Sequence, residues 1–115
     1  MQTIWKYAVE PDLINQIYEM PMGATILSFG LDPQGELCFW AAVDDEAPKV
    51  ERVISCIGTG WPIIYGDYGY FVGTVTKGSY VWHLFDMGAG SDSSDLKLVT
   101  QSSIEEAKAH ETIDN

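Results

Sequence analysis

The sequence predicts a mainly β fold, a small antiparallel β-sandwich or partly open barrel of about seven strands with a short C-terminal helix. Short runs of β-favouring residues recur through residues 1–87, and turn residues separate them. No 3.6-residue periodicity lasts long enough in that part of the chain to require a helix. The 4 Trp, 6 Tyr and 4 Phe residues are too many for a chain that is mostly disordered.

Seven runs have strand character, and each of them ends at a turn or a loop. They are Thr3–Val9, Gln16–Met20, Ala24–Leu31, Glu36–Val43, Lys49–Ile57, Tyr70–Thr76 and Tyr80–Asp86. In the first run, Trp5 and Tyr7 share one face while Ile4 and Ala8 share the other. The fourth run is apolar on both faces, so we expect it to lie in the centre of a sheet.

Turn residues set the ends of these strands. Pro21-Met-Gly23 predicts a tight turn, because proline presets φ and glycine accepts a positive φ. Asp32-Pro-Gln-Gly35 is the strongest turn signal and predicts a hairpin between the third and fourth runs, with the Asp32 side chain bonded to the backbone two residues on. Gly58-Thr-Gly-Trp-Pro62 turns the chain, and Lys77-Gly-Ser79 predicts a hairpin between the last two runs.

The composition changes after residue 87. Residues 88–95 are small and polar, as in a flexible linker, so we expect a β domain at 1–87 and a C-terminal appendage at 96–115. Ser103 and Glu106 match a capping box, which predicts a short helix at about 103–111. That helix has few apolar positions, and it either docks on the domain or frays.

The chain of 115 residues carries 17 acidic and 6 basic side chains, which gives a net charge of −11. This charge argues against direct nucleic-acid binding and against docking on anionic lipid. The N-terminus lacks a signal-peptide pattern, and no apolar run has the length of a membrane span. Cys38 and Cys56 stand in apolar runs without a CxxC spacing, which favours two reduced, buried thiols over a disulfide or a metal pair. A cytoplasmic protein is therefore expected.

The sequence shows no convincing catalytic constellation, and we expect no enzyme activity, no metal site and no cofactor. His83 alternates with apolar residues, which favours a histidine at the core edge bonded to a backbone carbonyl; catalysis or ligand binding is the alternative. The three consecutive carboxylates at 44–46 lack the spacing of a calcium loop and favour a solvated loop. Gly58-Thr-Gly60 lies outside any βαβ unit and favours a tight turn with Trp61 folded back on the sheet.

Aromatic residues concentrate between Trp61 and Phe85, in greater number than the core of one small sheet usually encloses. Exposed Tyr and Trp rings are favoured anchors at interfaces, because they give rigid contact area at low entropic cost. The loop 61–70 is therefore the best candidate for a recognition surface; alternatively, its rings cover the open end of the core. With the acidic loop included, the candidate binding residues are Trp61, Tyr65, Asp67, Tyr68, Tyr70, Asp44, Asp45 and Glu46.

Six blocks of sequence occur in a characteristic order along the chain. They are Thr3-Ile-Trp-Lys-Tyr7, Glu19-Met-Pro-Met-Gly-Ala-Thr-Ile-Leu27, Cys38-Phe-Trp-Ala-Ala-Val-Asp44, Gly58-Thr-Gly-Trp-Pro62, Gly73-Thr-Val75 and Val81-Trp-His-Leu-Phe85. Together these blocks resemble a family of small bacteriophage-encoded proteins of unknown function. The resemblance implies a phage gene product expressed in the cytoplasm of a host bacterium. It implies no catalytic residues, because that family has no established chemistry.

These observations favour a non-enzymatic accessory protein that binds and modulates or inhibits a host protein of defence, transcription or nucleic-acid processing. An acidic and aromatic surface would dock on a basic host surface, and acidic charge speeds such encounters. One alternative is a small-ligand protein that sequesters a nucleotide signal through its Gly- and Tyr-rich segment 58–70. Another alternative is a virion or assembly component. We also expect that β edges allow the protein to form homo-oligomers.

Overall fold

The computed structural model describes residues 1–11, 13–63 and 69–89, which form seven β-strands. The strands are β1 (Gln2–Ala8), β2 (Asn15–Pro21), β3 (Thr25–Leu31), β4 (Leu37–Asp44), β5 (Lys49–Gly58), β6 (Tyr70–Lys77) and β7 (Tyr80–Ala89). Each of the seven predicted runs is confirmed as a strand. The described ranges contain no helix, and so none that is long and apolar enough to cross a membrane. The predicted helix at about 103–111 lies outside those ranges. Of the predicted linker at 88–95, the first two residues end β7 and the others lie outside the described ranges.

The strands form two antiparallel sheets. Sheet A has the order β1-β4-β3, and sheet B has the order β2-β5-β7-β6. The central position predicted for the fourth strand is therefore confirmed. Over the described residues the sheets form a sandwich and do not close into a barrel. The edges formed by β3 and β6 nevertheless approach each other closely, since a Cβ added at Gly73 would lie 3.4 Å from the Phe29 Cβ.

The core lies between the two sheets, because each strand turns alternate side chains inward. Its members include Leu37, Phe39, Ala41 and Val43 from sheet A, and Met20, Ile54, Cys56, Trp82 and Leu84 from sheet B. Trp5 and Tyr7 pack against this core from β1, whereas Ile4 is 60 % exposed on the other face, as the sequence pattern predicts. Burial of these apolar side chains is the main source of stability.

The turn at Asp32 joins β3 to β4, as predicted. The amides of Gln34 and Glu36 donate to Asp32 Oδ1 over 2.9 and 3.0 Å. Gly35 has a φ of 81°, a conformation that costs glycine little. The side chain of Asp32 thus organises the whole hairpin connection.

The predicted tight turn at Pro21–Gly23 also forms, but it connects the two sheets and not two neighbouring strands. The Ala24 amide donates to the Pro21 carbonyl over 3.1 Å, and Gly23 has a φ of 81°. β2 belongs to sheet B and β3 to sheet A, so this turn carries the chain from one layer of the sandwich to the other.

The buried Gln16 side chain organises the connection between β1 and β2. Its Oε1 accepts from the Glu10 amide at 3.0 Å, and its Nε2 donates to the Glu10 and Leu13 carbonyls at 2.6 and 2.9 Å. The Tyr18 hydroxyl lies 2.8 Å from Gln16 Oε1 and 2.6 Å from the Ala8 carbonyl oxygen. The end of β1 is thereby tied to β2, although the two strands belong to different sheets.

Candidate functional site

Trp61, from the predicted recognition loop, lies in the core with 6 % of its surface exposed. Its ring packs edge-on against Trp82, with centroids 5.2 Å apart and planes at 89°. The Trp61 amide donates to the Gly58 carbonyl over 3.0 Å, and a Cβ added at Gly58 would lie 3.0 Å from the indole. The segment Gly58–Gly60 is therefore a tight turn that folds Trp61 back on the sheet, which makes Trp61 a core residue.

Tyr70 and Phe71 begin β6 and are the most exposed aromatic residues of the described chain, at 81 % and 61 %. Phe71 stands opposite Phe85 on β7, and their ring centroids are 5.6 Å apart. The structure thus places Tyr70, a predicted site residue, at the surface and adds Phe71 beside it. Three other predicted site residues, Tyr65, Asp67 and Tyr68, lie outside the described residues.

The predicted acidic loop surrounds the N-terminal ammonium group. The Met1 nitrogen lies 3.3, 3.0 and 3.1 Å from carboxylate oxygens of Asp44, Asp45 and Glu46. Hydrogen bonds to Asp45 first, and then to Glu46, raise the pKa of this amino group to about 10. One oxygen from each of the three carboxylates lies within 4.8 Å of the others, a spacing that suits a positive charge, and the ammonium supplies that charge. These carboxylates therefore attach the N-terminus to the β4–β5 loop.

Glu19 on β2 and Glu51 on β5 stand directly opposite each other, and both are exposed. In the same register the Cys56 amide donates to the Ile14 carbonyl over 2.7 Å, so residues 14 and 56 form a hydrogen-bonded pair. Because pair types alternate along an antiparallel ladder, Glu19 and Glu51 form a non-hydrogen-bonded pair, in which side chains approach most closely. Like charges at directly opposite positions destabilise a sheet, so we expect this pair to lower the stability of the free protein.

Phe71 lies on the same outer face of sheet B as the two glutamates. Phe71 stands opposite Phe85, and Phe85 stands opposite Ser55. Residues directly opposite each other share a face of the sheet, and so do alternate residues of one strand, such as Ser55 and Glu51. The other face of β5 points into the core. Tyr70 stands opposite Asp86, so its side chain leaves the opposite face of β6 from Phe71. We call Glu19, Glu51 and Phe71 the acidic–aromatic surface.

His83 lies on β7 with both ring nitrogens engaged. Its Nε2 is 2.7 Å from Thr59 Oγ1, and its Nδ1 is 2.9 Å from Thr74 Oγ1. In the neutral form of an imidazole, which has one donor and one acceptor nitrogen, one threonine hydroxyl would donate to the ring and the other would accept from it. Two side chains thus take the place of the expected backbone carbonyl, because Thr74 stands opposite His83 on β6 and Thr59 follows the end of β5. The ring joins three segments beside a hollow of about 240 Å³ that Trp61 also lines.

A cleft of about 430 Å³ opens beside the β6–β7 hairpin. Tyr80 and Trp82 contribute aromatic lining, with ring centroids 5.8 Å apart. Lys77 also lines the cleft, and its Nζ lies 3.0 Å from Glu36 Oε2. The sequence analysis missed this cleft because its lining comes from the connection after β1, the start of β4 and the β6–β7 hairpin, which only the fold brings together.

Both cysteines are free and buried, as predicted. Burial raises the pKa of the Cys56 thiol to about 12, and burial is also the main cause of a raised pKa at Cys38. The thiolate is the nucleophilic and metal-binding form, and raised pKa values disfavour it at neutral pH. The two cysteines therefore serve as small apolar residues of the fold.

Comparison with known proteins identifies a family for most of the chain. Residues 1–94 match the domain of unknown function DUF7352. No curated protein and no solved structure matches the chain. Because the match covers more than half of its length, the chain belongs to the DUF7352 family.

Proposed function

We propose that this member of the DUF7352 family is a non-enzymatic binding protein that docks on a basic surface of a partner protein. The docking site is the acidic–aromatic surface of sheet B. The observation that carries the proposal is the exposed pair of Glu19 and Glu51 at directly opposite strand positions. Features that lower stability locally are expected at functional sites, where a gain in function compensates for them. A lysine or arginine of the partner, placed between the two carboxylates, would replace their repulsion by attraction.

An exposed ring on the same face of sheet B supports this proposal. A few aromatic anchors usually provide most of the binding energy of an interface. Phe71 has 61 % of its surface free to bury, and it already rests against Phe85. A ring held in place before binding loses less entropy when the complex forms, which favours its use as an anchor.

The charge of the chain supports a basic partner. A net charge of −11 attracts positively charged surfaces over a distance and speeds their encounter, and salt weakens this effect. Proteins that bind nucleic acid present such surfaces. The resemblance of the sequence to small phage-encoded proteins favours a bacterial host protein of defence, transcription or nucleic-acid processing. Occupying its basic surface would modulate or inhibit that protein.

The test is affinity capture from a bacterial lysate with the full chain attached to the support at its C-terminus. Three variants accompany the wild type: the pair Glu19→Gln and Glu51→Gln, the single change Phe71→Ser, and the control Tyr80→Ser. We expect the wild type and the control to retain the same basic protein at low salt and to release it at high salt. The double variant and Phe71→Ser should both retain much less of it.

Two results would contradict the proposal. One is the absence of any protein captured above the level of an empty support at low salt. The other is equal capture by the wild type, the double variant and Phe71→Ser, because the acidic–aromatic surface would then contribute nothing to binding.

The cleft beside the β6–β7 hairpin favours a second candidate function, the binding of a small aromatic ligand. Its volume of about 430 Å³ falls within the range of small-molecule sites. Tyr80 offers a half-exposed ring for stacking, and Lys77 offers a charge beside it. Thermal unfolding with a panel of nucleotides tests this candidate. An increase in Tm that Tyr80→Ser abolishes would support it, and an unchanged Tm at millimolar nucleotide would exclude nucleotides as the ligand.

A further inference from the structure

β1 is an edge strand whose hydrogen-bonding groups are open on one side. The Val9 amide donates to the Leu37 carbonyl over 3.0 Å, and the Asp45 amide donates to the Met1 carbonyl over 3.1 Å. Both contacts continue the β1–β4 register, so odd-numbered residues of β1 bond to β4. The even-numbered residues Gln2, Ile4 and Lys6 therefore direct their amide and carbonyl groups away from the sheet. Only the next such carbonyl, that of Ala8, meets a described side chain, the Tyr18 hydroxyl at 2.6 Å.

The other sheet edges of the described chain are protected. In β2 the even-numbered residues bond to β5, because residue 14 is hydrogen-bonded to residue 56. The backbone groups of the odd-numbered residues Ile17, Glu19 and Pro21 therefore point away from the sheet. Glu19 brings a charge to that edge, and Pro21 has no amide hydrogen to donate, two features that discourage pairing. β3 and β6 lie close to each other at Gly73. Of the edges that the structure describes, β1 is thus the one that remains available for pairing.

We propose that β1 pairs with β1 of a second copy of this chain, which joins the two A sheets into one six-stranded antiparallel sheet. This inference is independent of the proposed function, because it concerns sheet A and not the acidic–aromatic surface. A symmetric dimer must place each residue against its counterpart around a central position. The open backbone groups belong to the even-numbered residues Gln2, Ile4 and Lys6. A register centred on Ile4 pairs all three residues, because Ile4 then lies opposite Ile4 of the other copy and Gln2 lies opposite its Lys6.

The side chains fit this register. Ile4, 60 % exposed in the single chain, would cover its counterpart, and Ala42 stands beside Ile4 on β4. The apolar stripe would then run through Ala42, Ile4 and their two counterparts. In the next row Asp44 stands beside Gln2. Lys6 of the other copy, whose Nζ lies 3.0 Å from Oδ2 of its own Asp32, would come into line with the Asp44 carboxylate. A register centred on Lys6 would instead oppose two ammonium groups, which is unfavourable.

Charge sets the conditions for this dimer. Two chains of charge −11 repel each other, whereas β1 itself carries no carboxylate and one lysine. Salt screens the repulsion between the two molecules and leaves apolar contact and backbone hydrogen bonds largely intact. Dimer formation should therefore increase with salt concentration, which is the opposite of the salt dependence expected for docking on a basic partner.

Sedimentation equilibrium of the full chain at low and high salt tests the dimer. We expect a monomer–dimer equilibrium that shifts toward dimer as salt rises. Ile4→Lys opposes two new charges at the centre and should weaken association by about tenfold or more. Ile17→Lys makes the same change at an exposed site on the β2 edge and should leave association unchanged. A monomer at every concentration and salt would overturn the proposal, as would equal weakening by both variants.

Disulfide formation provides a second measurement that reads the register directly. Hydrogen-bonded antiparallel partners have Cα atoms about 5.5 Å apart, which lies within the range that a disulfide spans. Ile4→Cys should therefore form a covalent dimer under mild oxidation much faster than Ile17→Cys. Both native cysteines are buried and contribute little to crosslinking. Equal rates for the two variants would contradict pairing centred on Ile4.

Discussion

The guanidinium group of Arg52 holds both carboxylate oxygens of Asp86, with Nε 2.9 Å from Oδ1 and Nη2 2.6 Å from Oδ2. The remaining Arg52 nitrogen, Nη1, donates to the Ala24 carbonyl over 2.9 Å. Arg52 lies on β5, Asp86 on β7, and Ala24 at the turn that leads into β3. One largely buried side chain therefore links sheet B to the point where the chain enters sheet A.

Replacing Arg52 by methionine should lower the free energy of unfolding by about 2 kcal/mol. Methionine keeps an unbranched apolar stem but has no guanidinium group. Asp86 then keeps only the Gly88 amide as a hydrogen-bond donor among the described residues, and the Ala24 carbonyl loses its bond from Arg52. The control is Lys77→Met, which breaks the exposed ion pair with Glu36 and should cost about 0.5 kcal/mol or less. Urea unfolding measures both values. Equal losses would show that the Arg52 link has no special role.

Stability should fall as the pH drops below about 4. Burial raises the pKa of Asp86, but hydrogen bonds from Arg52 and from the Gly88 amide outweigh it and hold that pKa below the ordinary 3.8. A carboxyl whose pKa is lower in the folded state stabilises the fold above its unfolded pKa, and this contribution is lost as the pH falls through the folded value. Asp86→Asn should be less stable at neutral pH and lose less stability on acidification. Urea unfolding at pH steps from 6 to 2 checks this, and an identical acid slope would contradict it.

Trp61 and Tyr70 should respond very differently to truncation. Trp61→Ala should destabilise the fold by about 3–5 kcal/mol, because it leaves a cavity against Trp82. Tyr70→Ala should change stability by about 0.5 kcal/mol or less, since that side chain is 81 % exposed. Urea unfolding of the two variants gives the comparison. A small loss for Trp61→Ala would mean that its ring does not belong to the core.

Glu19→Gln should stabilise the free protein by about 0.3–0.5 kcal/mol, because it removes a like-charge pair between β2 and β5. The gain should shrink at high salt, where the repulsion between the carboxylates is screened. Glu36→Gln serves as the control, since Glu36 is paired with Lys77 and its loss should give no gain. Thermal unfolding at low and high salt measures these differences. A lower Tm for Glu19→Gln at low salt would contradict the repulsion.

The strands and turns were predictable from sequence because their signals are local. The Asp32 side chain accepts a hydrogen bond from the backbone of its own turn. In the turns that contain proline or glycine, these residues set the φ values. The assignment of strands to sheets depends on contacts between distant segments. The turn at Pro21–Gly23 looks the same in sequence whether it joins neighbours in one sheet or, as here, crosses between two.

The proposed binding surface was less predictable for the same reason. Trp61 and Tyr70 belong to one aromatic segment, and Trp61 is buried because its ring packs between Gly58 and Trp82. The opposition of Glu19 and Glu51 follows from the β2–β5 register, which no local pattern reveals. Phe71 carried a usable signal, since it adjoins the predicted Tyr70 on a strand with few charges.

The central claim, that Glu19 and Glu51 serve binding at a cost in stability, is tested most directly by calorimetric affinity measurements on the captured partner. The wild type is compared with the double variant Glu19→Gln and Glu51→Gln at two salt concentrations. We predict that the double variant binds at least about tenfold more weakly at low salt, with a shallower salt dependence and an equal or higher Tm. Equal affinity of the two proteins at low salt would contradict the claim.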